Sequence, residues 1–340
     1  MTSRYVTPVP TDAATGVVAD VYGQIADEFG ISKPAALLTL SPAPELLAAT
    51  WSLLRESLLA GDAPRGNKEV VAVGVSVANR CPFCVDAHSM MLHATGDHRL
   101  AEQILRGETP EDPKHAHLLA WAGATRTPGA PALAVPPFPT QHTAEYVGTA
   151  LSFHLINRMV SALLTNEVLP AGAQRFRAVR SVAGRALART VRRPLRSGSS
   201  LPLLGDVPAD AVPAWANGSS IGTAFAAVRS AARLGGELLS GEARAAVQNA
   251  VVASDGSHPP LGTDWLERPL ADLPQADLPG ARLALLAALA PYRITDAHVV
   301  DWRDAHPDDA DLVRLIGFGA TTATEHVEAT IVIDQELRCG

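Results

Sequence analysis

Apolar residues recur every three or four positions along most of the chain, and no segment alternates apolar with polar residues. This pattern constrains the fold most, because a helix returns to the same face after about 3.6 residues whereas a strand alternates its faces. Helices are expected over 13–29, 45–59, 68–78, 82–94, 98–106, 114–125 and 144–164. A later group is expected over 221–239, 242–253, 280–289, 295–304 and 310–332. The run 68–78 is nearly all Val, Ala and Gly after its first two residues, a composition that also suits a strand. Its length and helical neighbours favour a buried helix. Pro44 and Pro82 fit first helical positions, where the missing N–H has no partner to lose, and Gly61 and Gly96 fit helix ends. The expected fold class is all-α.

Three regions follow from composition: residues 1–196, a Ser/Pro/Gly-rich linker at 197–213, and a second helical region at 214–340. The second region carries a hint of a degenerate repeat. Residues 147–150 resemble 316–320, and each stretch is followed at a similar offset by a histidine, His154 or His326. Such a copy would lack the cysteines.

The chain is 47% hydrophobic, which is too apolar for general disorder. Its net charge of −7 has the wrong sign for a general nucleic-acid binder. No run is long and apolar enough for a membrane span, and the N-terminus has no leader-like pattern, so a cytoplasmic protein is expected. Three cysteines cannot form a disulfide scaffold for 340 residues. In a reducing compartment, a close pair points instead to redox or metal chemistry.

That pair is Cys81 and Cys84, with His88 four residues beyond the second cysteine on one helical face and Glu69 on the preceding helix. Thiols at this spacing on a first helical turn are close enough to form a disulfide, and a helix N-terminus favours the thiolate. His88 is placed to take a proton from Cys84 and return it to a leaving group. An antiparallel return would bring Glu69 alongside to orient His88 or relay its proton. The helix terminus favours Cys81 as the attacking thiol, whereas the His88 spacing favours Cys84. The second argument is followed here.

Glu69, eleven residues, then Cys81-x-x-Cys84-x-x-x-His88 resembles the motif of the AhpD-like, or carboxymuconolactone decarboxylase, superfamily in its alkylhydroperoxidase branch. A looser likeness covers 35–164, including the Pro44 helix entry and the run Phe153-His154-Leu155-Ile156-Asn157-Arg158. The resemblance implies an all-α, homo-oligomeric enzyme that reduces peroxides or exchanges disulfides. Cys84 would be oxidised, Cys81 would resolve it, and an external dithiol would reset the pair. No cofactor is implied. Phe83 departs from the family pattern, since the well-known peroxidases have a histidine just before the second cysteine. The decarboxylase branch lacks the cysteine pair.

Three other readings compete with this one: a redox sensor or scaffold of the same fold, two inert buried cysteines, and a zinc site using Cys81, Cys84 and His88 with Glu69 or His93 as a fourth ligand. His93, His98, His115 and His117 read as polar-face or helix-end residues. His154 reads as a satisfied core histidine, with a place in the pocket beside Phe83 as its functional alternative. Asn157 and Arg158 read as partners within the bundle. The Arg-rich stretch 171–196 reads as a solvated face. Cys339 reads as an incidental thiol.

Overall fold

The computed structural model describes residues 3–31, 33–165, 177–205 and 211–336. These residues form fifteen α-helices and no strands. In chain order they are α1 (Gly16–Glu28), α2 (Ala35–Leu38), α3 (Pro44–Leu54), α4 (Arg65–Ala78), α5 (Pro82–Thr95), α6 (His98–Leu105), α7 (Pro113–Ala124) and α8 (Thr143–Leu163). Then come α9 (Arg177–Val191), α10 (Ser220–Gly236), α11 (Gly241–Val252), α12 (Asp264–Glu267), α13 (Leu278–Leu289), α14 (Asp296–Arg303) and α15 (Asp309–Glu336). Among them no helix is long and apolar enough to cross a membrane.

The valine-rich run is helical. In α4, Val70, Val71, Val73 and Val75 are all buried, because α5, α7 and α8 each pack against that helix. Burying each valine contributes roughly 1.5–3 kcal/mol, enough to override a weak local preference for strand. A buried ion pair fixes α4 to α8: Lys68 Nζ lies 2.8 Å from Glu145 Oε2, and Glu145 also accepts from the backbone of Asp62 and Ala63. The chain then reverses over three residues. Arg80 takes a left-handed conformation (φ 55°), Cys81 is the N-cap of α5, and Pro82 is its first residue. Gly96 ends α5 with φ 108°, as a left-handed C-cap requires.

The sequence reading separates 1–196 from 214–340, but in the structure one apolar cluster runs from Val6 to Ile331. α10 packs on α3, and α15 packs on α8. The described part of the expected linker is docked: Gly198 and Ser200 hydrogen-bond the buried carboxylate of Glu56. Each half thus turns an apolar flank toward the other.

The Arg-rich stretch also departs from expectation. Its helix, α9, lies against α5, so closely that a Cβ on Gly184 would stand 2.7 Å from the His93 Cβ. Arg180 pairs with Glu102, and Arg192 caps the Ala94 carbonyl at the end of α5. Arg185, Arg189 and Arg196 are exposed and fit the solvated reading, as does Arg193, whose partner Asp27 is itself exposed. Residues 171–176, including Arg175, and Cys339 lie outside the described residues.

Candidate active site

The short reversal between α4 and α5 sets the antiparallel helices side by side and brings Glu69 to His88. Glu69 Oε2 lies 2.7 Å from His88 Nδ1. The other carboxylate oxygen, Oε1, accepts from Arg65 Nε at 2.8 Å, one turn earlier on α4. Burial alone would raise the Glu69 pKa, but the charges of Arg65 and His88 and their hydrogen bonds outweigh it and hold the carboxyl below its usual range. A carboxylate only accepts, so His88 Nδ1 carries the hydrogen, and Nε2 of the neutral ring presents a lone pair. Nε2 has no hydrogen-bond partner among the described residues.

The sulfurs of Cys81 and Cys84 lie 2.6 Å apart, and both thiols are buried and free of disulfides. They differ in surroundings. Cys84 and His88 face one cavity of about 80 Å³, whose lining does not include Cys81. Phe83, Phe153, Leu37, Leu54 and Met90 supply much of the wall, and among the described lining residues only Cys84 and His88 have titratable side chains. The Phe153 ring meets His88 edge-on, with centroids 4.4 Å apart, and helps fix the imidazole. The helix terminus does not dominate at Cys84. Burial, followed by the neighbouring Cys81, pushes its pKa well above the ordinary thiol value. Burial thus favours the Cys84 thiol over its thiolate, and attack by Cys84 requires a base.

The fully buried His154 does not line this cavity. Its Nδ1 lies 3.2 Å from both Asn79 Nδ2 and Arg158 NH1, and its Nε2 lies 2.8 Å from Thr125 Oγ1. A ring with both nitrogens engaged inside the bundle is a satisfied core histidine, so its pocket role is corrected. Phe83 does line the cavity, and without a titratable group it relays no proton. His93 is buried rather than polar-facing, engaged by His98 at 2.8 Å and Glu102 at 3.0 Å. Among the described residues, no three His, Cys, Asp or Glu side chains are grouped to hold a metal ion. The zinc reading therefore has no ligand set.

Sequence reasoning read Asn157 and Arg158 as partners within the bundle but missed the layer that Asn79, Ser76 and Arg126 complete. Asn79 Nδ2 donates to Asn157 Oδ1 at 3.1 Å, and Asn157 Nδ2 donates to Ser76 Oγ at 3.0 Å. Asn157 acts on Cys84 against burial and Cys81, lowering its pKa. Arg126 NH1 donates to Asn79 Oδ1 at 2.8 Å. The spacing of His154 and Asn157, on one face of α8, was a usable signal. Arg126 gave none, since its partners are distant in sequence.

Residues 44–125 match the sequence profile of the carboxymuconolactone decarboxylase family. A curated protein of Mycobacterium tuberculosis (strain ATCC 25618 / H37Rv), described as an alkyl hydroperoxide reductase, is 40% identical over 330 residues. The match spans 95% of this chain and 93% of that protein. No solved structure matches the chain.

Proposed function

The chain belongs to the carboxymuconolactone decarboxylase family, and from that premise we propose that it is a thiol-dependent peroxidase acting on organic hydroperoxides. One observation carries the reading: Cys84 faces an apolar cavity together with His88, whose other nitrogen is held by Glu69. An apolar cavity suits a hydroperoxide with a hydrocarbon body better than hydrogen peroxide. The name of the mycobacterial relative points the same way.

In this reading His88 Nε2 removes the Cys84 proton, and Glu69 stabilises the imidazolium that forms. The Cys84 thiolate attacks the terminal peroxide oxygen. The O–O bond breaks, Cys84 becomes a sulfenic acid, and the departing alkoxide takes the proton from His88 to leave as an alcohol. Cys81 then attacks the Cys84 sulfur. Its proton and the sulfenic hydroxyl leave as water, and the pair closes to a disulfide. An external dithiol returns two electrons and two protons by thiol–disulfide exchange. Glu69 and His88 form the whole relay, with Phe83 contributing only apolar wall.

The test is mass spectrometry of the reduced protein after one equivalent of cumene hydroperoxide. A rapid Cys81–Cys84 disulfide is expected, absent in Cys84→Ser and slowed in His88→Ala. Thiols that stay reduced in the wild-type protein overturn the reading.

A further inference from the structure

The Glu69 carboxylate is fully buried and bonded on both oxygens. His88 Nδ1 meets Oε2 at 2.7 Å, and Arg65 meets Oε1 twice, through Nε at 2.8 Å and NH2 at 2.7 Å. Among the described residues no other cation bonds this carboxylate. Lys68, its neighbour in sequence, is committed to Glu145 at 2.8 Å and to the Ala60 carbonyl.

Helix stability does not account for Arg65. It is the first residue of α4, where the helix dipole opposes a cation. An arginine four residues before a glutamate is also the weaker order for such a pair. Nor is Arg65 a solvated surface group, since its side chain is only 16% exposed.

The bond between Glu69 and His88 can run in two directions. With Glu69 ionised, Nδ1–H donates to the carboxylate and the ring's lone pair is on Nε2. With Glu69 protonated, its O–H donates to Nδ1 and the ring hydrogen sits on Nε2. The second arrangement holds one proton more, and its Nε2 can give a proton but cannot take one. A guanidinium only donates, so two N–H groups on Oε1 favour the ionised carboxylate and with it the first arrangement. Without Arg65, a carboxylate sealed from solvent would have His88 as its single charged partner, and burial favours the neutral acid.

We propose that Arg65 is a positioning residue that fixes the direction of the Glu69–His88 hydrogen bond and thereby keeps the His88 lone pair on Nε2, so that His88 meets Cys84 as a base rather than an acid. The proposal rests on the reading of His88 as the base for Cys84. The titratable and charged groups around Glu69 are Arg65 and Lys68 on α4, His88, Cys84 and Cys81 on α5, and Glu145 on α8, which binds Lys68. α7 brings His115, held on Asn67 at 3.2 Å.

The experiment is NMR of the reduced full-length protein labelled with 15N-histidine, in which protonated and bare ring nitrogens resonate far apart. His88 is assigned by its loss in His88→Gln. At pH 7 the wild-type ring should carry hydrogen on Nδ1 and none on Nε2. In Arg65→Met the two nitrogens should exchange roles. In Arg65→Lys, which keeps the charge and one donor, the wild-type pattern should return. Iodoacetamide alkylation of Cys84, followed by mass spectrometry, reads the consequence. Arg65→Met should slow it about tenfold at pH 7 and move its pH midpoint upward, because losing a cation in contact with a carboxyl raises that group's affinity for protons. Arg65→Lys should recover most of the rate. Arg65→Met should add no further loss to Glu69→Gln, since Arg65 acts through Glu69. A merely structural ion pair would lower the urea midpoint and leave the tautomer and the pH midpoint in place. That outcome overturns the proposal, as do additive losses in the double variant.

Should Arg65→Met not fold, wild-type protein labelled with 15N-arginine and 15N-histidine decides. On acidification the Arg65 Nε and His88 nitrogens should respond with one shared midpoint, and separate midpoints, or a hydrogen on His88 Nε2 at pH 7, overturn the proposal. Neither readout needs peroxide, so failure of this proposal is separable from failure of the peroxidase reading. Tautomer and alkylation as expected, with no hydroperoxide turnover, would sink only the latter.

Discussion

The dithiol lies between two unlike walls. On the α4–α5 side stand a carboxylate, an imidazole and an arginine, with Glu69 bonded to both His88 and Arg65. On the α8 side the layer of Asn79, Asn157, His154, Arg126 and Arg158 contains no acid. A buried thiol must both lose its proton and remain an anion, and these demands call for different groups. The first needs a base that titrates near neutrality, the second fixed donors that do not titrate. In the proposed reading, the contrast teaches that a Cys84 thiol raised by burial depends on the titratable groups of the α4–α5 side for its deprotonation.

The largest expected effect breaks the dithiol itself. Cys84→Ser should abolish hydroperoxide turnover, whereas Cys81→Ser should still consume one equivalent and accumulate a sulfenic acid, trapped by dimedone and counted by mass. If Cys81→Ser traps nothing and Cys84→Ser traps a sulfenic acid, the roles of the two thiols are reversed. Next comes the acidic wall. Glu69→Gln removes the charge that stabilises the imidazolium, leaves one oxygen for the two donors His88 and Arg65, and should lower kcat by about 10²–10⁴ without altering the helical circular dichroism. A fall confined to KM would make Glu69 a binding residue instead.

The smallest effect is on stability. Burial, then the charges of Arg158 and Arg126, keep the His154 pKa well below its ordinary value. Burial, then Arg126, lower that of His258 to about 4. An unfolded histidine titrates near 6.5, so below that pH the unfolded chain binds protons the fold refuses. The urea midpoint should therefore fall as pH drops from about 6.5 toward 4, and the slope should be shallower in His154→Gln. A midpoint constant across that window would mean that the acid-free wall accepts protons.

Much of this was legible in the sequence because it is local. The helices follow from apolar spacing, and their starts at Pro44 and Pro82 follow from a proline's missing N–H. Cys81, Cys84 and His88 lie within one turn or two of a single helix, so their spacing alone relates them. Glu69 needed one further assumption, an antiparallel return. The left-handed Arg80 supplies it, in a conformation no residue pattern announced.

Other features had no local signature. The shared core of the two halves was hidden because a helix's apolar stripe does not name its partner, and a linker-like segment such as 197–205 docks through the buried Glu56 carboxylate and through Leu204, which joins the core. The Arg-rich stretch looked solvated because charge counts carry no information about α5 lying underneath.

By itself, then, the sequence determined the all-α class and singled out Glu69, Cys81, Cys84 and His88 as the candidate set, since helical periodicity and near-neighbour spacing are properties of one stretch of chain. The tertiary structure alone decided that Cys84 rather than Cys81 faces the cavity, that His154 turns away from it, and that Asn79, Asn157 and Arg126 form one chain of hydrogen bonds. Those hydrogen bonds join residues 47 to 78 positions apart, and only the packing of α4, α7 and α8 brings donor to acceptor.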